Sequence, residues 1–388
     1  MSATPQEDWR RALTATERFN NIQNIEKNTH PAALTASAFT LENEAYLSST
    51  SRDDYDAACA VLSKPPSADE AHVISSHDPE ASDIHPNDTS DIQIGTYKNC
   101  HYLASGTSAD VYRSGAVALK VCTIGNDCAP HNVYREAKIL KELQKPCIPL
   151  LQTFHDSEQQ IVLVLPYMPL TLQAVLQGSE NFTRKRLQSS FVDILSALAQ
   201  IHSQGIVHRD VKPSAILLES IEGPAYLSDF GTAWHPKYSV DDELADEKVL
   251  DIGTGPYRAP EVLFGNQAYG PAVDMWAVGA MLAECARPAP HKPLFESRAV
   301  HEDGNQLGLI LSIFKTIGTP TLESWPEAAA FRTPPFEMYR VFEPQPWEAI
   351  LPNVEEDVRT IIASLVKYNS TRLTAEEART EIQKLRID

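Results

Sequence analysis

Val207-His208-Arg209-Asp210-Val211-Lys212-Pro213-Ser214-Ala215-Ile216-Leu217-Leu218 is the stretch whose reading decides the fold. Just before it, Leu187 to Ser203 sets Phe191, Ile194, Leu195, Leu198 and Ile201 at helical spacing. That predicts a long core helix leading into the stretch. Beyond it follow Ala225-Tyr226-Leu227-Ser228-Asp229-Phe230-Gly231, Arg258-Ala259-Pro260-Glu261 and Asp274-Met275-Trp276-Ala277-Val278-Gly279. Upstream, from Ile94, the pattern is one of short β-type runs. Val117-Ala118-Leu119-Lys120 is one of them, and Gln160 to Leu165, running into Pro166-Tyr167-Met168-Pro169, is another. The apolar neighbours of Lys120 predict a buried strand, and a buried lysine needs a counter-charge.

The chain has 388 residues, enough for two core-bearing units and an extension. Its formal net charge of -19 argues against nucleic acid or an anionic membrane as partner, since both demand a basic face. Arg184-Lys185-Arg186 is the only compact basic cluster, read as the exposed start of a helix, with a weak nuclear address as the alternative. Six cysteines are scattered without a C-x-x-C pair, which suits neither a disulfide framework nor a zinc site. The apolar run from Ala272 to Ala286 contains Asp274 and Glu284 and is too short to span a bilayer. With no secretory leader read at the polar, acidic Met1 end, a reducing cytoplasmic or nuclear location is expected.

Residues 1–93 read as a polar extension. Trp9, Leu13, Phe19, Ile22 and Ile25 resemble a helical stripe, docked or free, and a short helix is expected from Arg52 to Leu62. Between Lys64 and Ser90 there is almost nothing to bury, which predicts a disordered linker. The extension is either a solvated tail or a regulatory, partner-binding segment.

The central stretch resembles the catalytic loop of a protein kinase, which in that family runs H-R-D-L-K-P-x-N. Val117-Ala118-Leu119-Lys120 resembles V-A-I-K, Asp229-Phe230-Gly231 is similar to the metal-binding D-F-G turn, and Arg258-Ala259-Pro260-Glu261 to the close of an activation segment. The resemblance covers Ile94 to the C-terminus. It implies an α+β bilobal fold, with a small antiparallel β-sheet lobe over 94–168 and a mainly helical lobe over 169–388. ATP and Mg2+ would sit in the cleft between them. Asp210 is implied to accept the proton of the substrate hydroxyl, and Lys212, at Ser/Thr-type spacing, to face the transferred phosphate. Lys120, paired with Glu136, would hold the α and β phosphates; Thr254 would tie the base to the substrate segment; Asp229 would bind Mg2+. Leu103, Ala104, Gly106, Val111, Ala118, Met168 and Leu217 complete the implied nucleotide site, with Leu165 guarding its inner pocket. Asp274 is implied to bond the catalytic-loop backbone, and Arg372 to be the buried partner of Glu261.

Three positions depart from the family. Only Gly106 survives of three loop glycines, Ala104 and Ala109 replacing the others, and Ala215 stands where the family has its metal-binding Asn. Pro130 to Glu136 has the length and ends of the P-S-T-A-I-R-E helix. Pro293-Leu294-Phe295 through Trp325-Pro326 resembles the cyclin-dependent kinase insert. Together these resemble fungal kinases that activate cyclin-dependent kinases, monomers that need no cyclin and have a degraded glycine loop. The implied substrate is a protein, the activation-loop Thr of a cyclin-dependent kinase. A conventional cyclin-dependent kinase with a cyclin partner, or a pseudokinase scaffold silenced by Ala215, are the alternatives. In the family Arg209 faces a phosphothreonine, and the phosphosite would fall near Val249, which takes no phosphate. One of Asp241, Asp242, Glu243, Asp246, Glu247 and Asp251 is expected to stand in for it, with Asp251 and Glu247 the pair to neutralise; a solvated acidic loop is the alternative.

Overall fold

A computed structural model describes residues 45, 49, 51–62, 92–106, 109–122, 130–178, 182–297, 306–336 and 340–386. The chain divides into two units, Met1–Asp88 and Thr89–Asp388. In the first, the expected helix is present as α1 (Arg52–Leu62), with Tyr55 and Cys59 buried. The stripe from Trp9 to Ile25 and the polar stretch from Lys64 to Ser90 lie outside the described residues.

The second unit is α+β and built of two lobes, as expected. Its small lobe is a five-stranded antiparallel sheet of β1 (His101–Ser105), β2 (Ala109–Ser114), β3 (Val117–Cys122), β4 (Gln152–His155) and β5 (Ile161–Pro166), ordered β1-β2-β3-β5-β4. Strand β5 lies inside the sheet, paired with β3 and β4 on either side, and Ile161-Val162-Leu163-Val164 is accordingly apolar at every position and buried throughout. In the register Lys120 lies between Val111 and Leu163. One helix, α2 (Val133–Glu142), packs beside the sheet. Asn132 starts it, its Oδ1 accepting the Arg135 N–H at 2.9 Å, and Glu136, Ala137, Ile139 and Leu140 are buried.

The larger lobe begins with a three-stranded sheet, β6 (Leu170–Thr171), β7 (Ile216–Leu218) and β8 (Ala225–Leu227), which frames the central stretch. Around it lie α3 (Leu172–Leu176), α4 (Arg184–His202), α5 (Pro260–Leu263), α6 (Ala272–Ala286), α7 (Leu307–Ile317), α8 (Trp347–Ile350), α9 (Glu356–Leu365) and α10 (Ala375–Gln383). Helix α4 buries Phe191, Ile194, Leu195, Leu198 and Ile201, as its spacing predicts. Each such side chain contributes roughly 1.5–3 kcal/mol of burial. Helix α6 is buried from Val273 to Cys285, an apolar helix enclosed on all sides. Gly279 permits the contact with the end of α9: a Cβ there would lie 2.8 Å from both Leu365 Cβ and Val366 Cγ2.

These elements lock the central stretch in place. Asp274, buried on α6, accepts the N–H of Arg209 at 2.8 Å through Oδ1 and the N–H of His208 at 2.9 Å through Oδ2. His202 Nε2 lies 2.9 Å from Oδ2. Burial alone would raise the Asp274 pKa, but the bonds from His202 and the loop backbone hold it below the ordinary carboxylate value. Arg209 is thereby kept in the left-handed region at φ 74, a conformation disfavoured for a side-chain-bearing residue.

Candidate active site

A cavity of about 720 Å³ opens between the sheet and the helical lobe. Its wall includes Leu103, Ala104, Gly106, Val111, Ala118, Lys120, Glu136, Leu165, Met168, Asp210, Lys212, Leu217, Asp229 and Thr254. All the residues assigned from the sequence to nucleotide binding, metal binding or chemistry thus face one space. Sheet and helix supply one side, the framed central stretch the other.

Lys120 Nζ lies 2.9 Å from both carboxylate oxygens of Glu136 and 3.0 Å from Asp229 Oδ1. Burial opposes the ammonium charge, yet Glu136 and Asp229 outweigh it and hold the Lys120 pKa well above its ordinary value. The Lys120 charge, offset only in part by burial, holds the Asp229 carboxyl far below the usual carboxylate range. Asp229 is therefore an anion at any working pH. Its backbone is left-handed at φ 63, and the turn continues through Phe230, which packs edge-on against His208 with centroids 4.8 Å apart.

On the opposite wall, Asp210 Oδ1 accepts the Thr254 hydroxyl at 2.6 Å, and Lys212 Nζ donates to Asp210 Oδ2 at 2.5 Å and to Thr254 Oγ1 at 3.0 Å. Three polar groups are thus cross-braced, with a carboxylate, an ammonium and a hydroxyl facing the cavity. Ala215 is buried. Its carbonyl accepts both the N–H and the hydroxyl of Ser228, at 2.9 and 2.8 Å. Its side chain offers no donor atom, while Ser214 beside it lines the cavity. The residues fit a nucleotide and one divalent cation held by Asp229; they do not supply the carboxamide that would hold a second.

Arg209 meets Glu243. Its Nη2 lies 2.6 Å from Oε1 and its Nη1 3.0 Å from Oε2, with side-chain exposures of 0 % and 4 %. The Val249 N–H donates to the same Oε1 at 2.6 Å, and Trp234 Nε1 donates to the Glu243 carbonyl at 3.1 Å. One of the six acidic residues therefore does sit on Arg209, and it is Glu243. Asp251 is not that residue: its side chain is 86 % exposed and its contact, at 3.2 Å, is with Arg258. Glu247 is exposed as well. Glu261 and Arg372 form a further buried pair, at 2.5 and 2.9 Å, as the resemblance implies.

Residues 97–381 match the family model for the protein kinase domain. The chain belongs to the protein kinase family, and it is a serine/threonine protein kinase of the cyclin-dependent-kinase-like group. Over 283 residues it is 34% identical to the serine/threonine-protein kinase csk1 of Schizosaccharomyces pombe, covering 69% of this chain and 88% of that one. With cyclin-dependent kinase 7 of Xenopus laevis it shares 30% identity over 295 residues, covering 73% and 79%. Among solved structures it resembles a chain of the yeast RNA Pol II CTD kinase CTDK-1 complex, with TM-score 0.61 and 23% identity over 72% of this chain and 90% of that one, a likeness of fold.

Proposed function

We propose that this chain, acting without a second subunit, transfers the γ-phosphoryl group of ATP to the activation-loop threonine of a cyclin-dependent kinase. One observation carries the reading: the contacts that phosphoryl transfer needs are already made within the single chain. Lys120 is on Glu136, Asp210 is braced by Thr254 and Lys212, and Arg209 is neutralised by Glu243.

In this mechanism Ala118, Leu165 and Leu217 enclose the adenine, and the backbone around Met168 bonds its edge. Lys120 holds the α and β phosphates, and the loop at Gly106 closes over them. A divalent cation on Asp229, when bound, offsets charge on the phosphate oxygens. Asp210 orients the incoming threonine hydroxyl and takes its proton as the new P–O bond forms and the bond between the γ phosphorus and the β–γ bridging oxygen breaks, releasing ADP. Lys212 sits where negative charge builds on the transferred group. Rate enhancement comes from positioning and electrostatics, with no covalent intermediate on the protein.

The experiment is incubation of the purified chain with MgATP and an inactive cyclin-dependent kinase, followed by mapping of the phosphorylated residue by mass spectrometry. Phosphate on the activation-loop threonine supports the substrate assignment; phosphate elsewhere, or none, contradicts it. A second reading, a scaffold that transfers nothing, is favoured by Ala215 alone.

A further inference from the structure

The C-terminal end of α2 breaks a local rule. Helix C-termini favour cations, and Lys141 supplies one in the last turn, yet the final residue of α2 is Glu142, a carboxylate. Residues that violate local preference mark places where tertiary contacts take over. Both Glu142 oxygens face the segment that follows Asp229-Phe230-Gly231. The Tyr238 hydroxyl donates to Oε1, and His235 Nε2 stands 3.8 Å from Oε2. The Tyr238 ring stacks on His235, centroids 4.3 Å apart, and Lys138 Nζ lies 5.5 Å from its centre, one turn before Glu142. His235 is itself pinned. Its N–H donates to Ser239 Oγ and its Nδ1 accepts the Lys237 N–H, both at 2.9 Å. At the other end of α2, the Asn132 N–H donates to the Gly231 carbonyl at 3.0 Å. The same activation segment therefore grips both ends of the helix, with Glu136 between the two grips.

We propose that Tyr238 and Glu142 are positioning residues, an internal clamp that keeps α2 where Glu136 reaches Lys120, in place of a subunit seated on the helix. The proposal rests on the kinase reading of the site. A helix held at one end only can pivot about it, and a pivot moves Glu136 away from Lys120. With both ends held, the ion pair that grips ATP persists in the chain alone. Tyr238 and Glu142 are not part of the cavity wall, so their effect is felt through Lys120.

The test uses the full chain with Tyr238→Phe, Glu142→Leu and Glu142→Gln, the last still able to accept the tyrosine hydroxyl. Hydrogen exchange of the α2 amides, the Kd of a fluorescent ATP analogue, and KM for ATP and for protein substrate are measured. Tyr238→Phe and Glu142→Leu are expected to speed exchange in α2 and weaken ATP binding by about threefold to tenfold, the net scale of one ordinary hydrogen bond, with KM for protein substrate unchanged. Glu142→Gln is expected between these and the wild type. Wild-type exchange and ATP affinity in both severe variants overturn the clamp, and so does faster exchange spread evenly over the whole domain. If the wild type transfers no phosphate, the functional reading falls, while exchange and ATP binding still decide the clamp.

Discussion

Arg209, next to the proposed catalytic base, and Glu243, in the activation segment, form a buried two-point ion pair in which neither side chain reaches solvent. The Val249 N–H joins the same carboxylate, so the segment is folded onto its own anion. An anion supplied by the chain needs no prior phosphorylation. Removing one partner of such a pair strands the other charge, at a cost of about 3–5 kcal/mol. Glu243→Ala is expected to lower Tm and reduce kcat strongly, whereas neutralising Asp251 and Glu247 together leaves both near wild type. Phosphatase treatment of the wild type is expected to leave activity unchanged. Thermal melting and steady-state kinetics check all three outcomes.

The Lys120 and Asp229 charges set the pH range of nucleotide binding. The Lys120 pKa is raised above its ordinary 10.5, so its contribution to stability is complete below that value and is lost only as pH rises through the folded-state pKa. The Asp229 pKa is depressed below its ordinary 3.8, so its contribution is complete above that value and is lost as pH falls through the lower folded-state pKa. Neither group titrates in between. The affinity for ATP in a fixed excess of Mg2+ is therefore expected to be flat from about pH 6 to pH 9, as measured by a fluorescent analogue.

Thr254 braces Asp210 from the substrate side, at 2.6 Å. Thr254→Val keeps the shape and removes the hydroxyl, freeing Asp210 to swing toward Lys212. A misplaced base of this kind costs about 100-fold in rate. The expected result is a fall in kcat with KM for ATP little changed, and recovery of most of it in Thr254→Ser.

Gly279 faces Leu365 and Val366 across a contact too tight for a Cβ. Gly279→Ala is expected to destabilise the domain by about 1–3 kcal/mol through overpacking, seen as a lower Tm. Its effect on kcat at a temperature well below Tm is expected to be small.

The fold was legible because its fragments are local. Asp229-Phe230-Gly231, Val117 to Lys120 and the central stretch each declare themselves within a few residues, and their order fixes the architecture. The pairing of Glu136 with Lys120 was legible as well, since a buried lysine demands a carboxylate and the family resemblance points to Glu136, which the structure buries on α2. The anion on Arg209 was legible as a need but not as a residue. Counting along the chain points to Val249, and the backbone there does lie at the site, but the carboxylate arrives from six residues upstream because the segment loops back. Tyr238 and Glu142 left no signal at all. They lie 96 residues apart, and a surface tyrosine and a helix-end glutamate look ordinary until the chain brings them together.

Ala215 is the residue on which catalysis by this site turns. Its side chain offers no ligand, and in the proposed mechanism Asp229 and the braced Asp210 suffice for catalysis by the chain alone. The measurement is the rate of phosphate transfer from MgATP to a protein threonine by the purified chain, beside Asp210→Asn and Ala215→Asn. Transfer by the wild type is expected, with its loss in Asp210→Asn and no more than a modest change in Ala215→Asn. No transfer by the wild type, with activity appearing in Ala215→Asn, would contradict it and leave a scaffold silenced by one side chain.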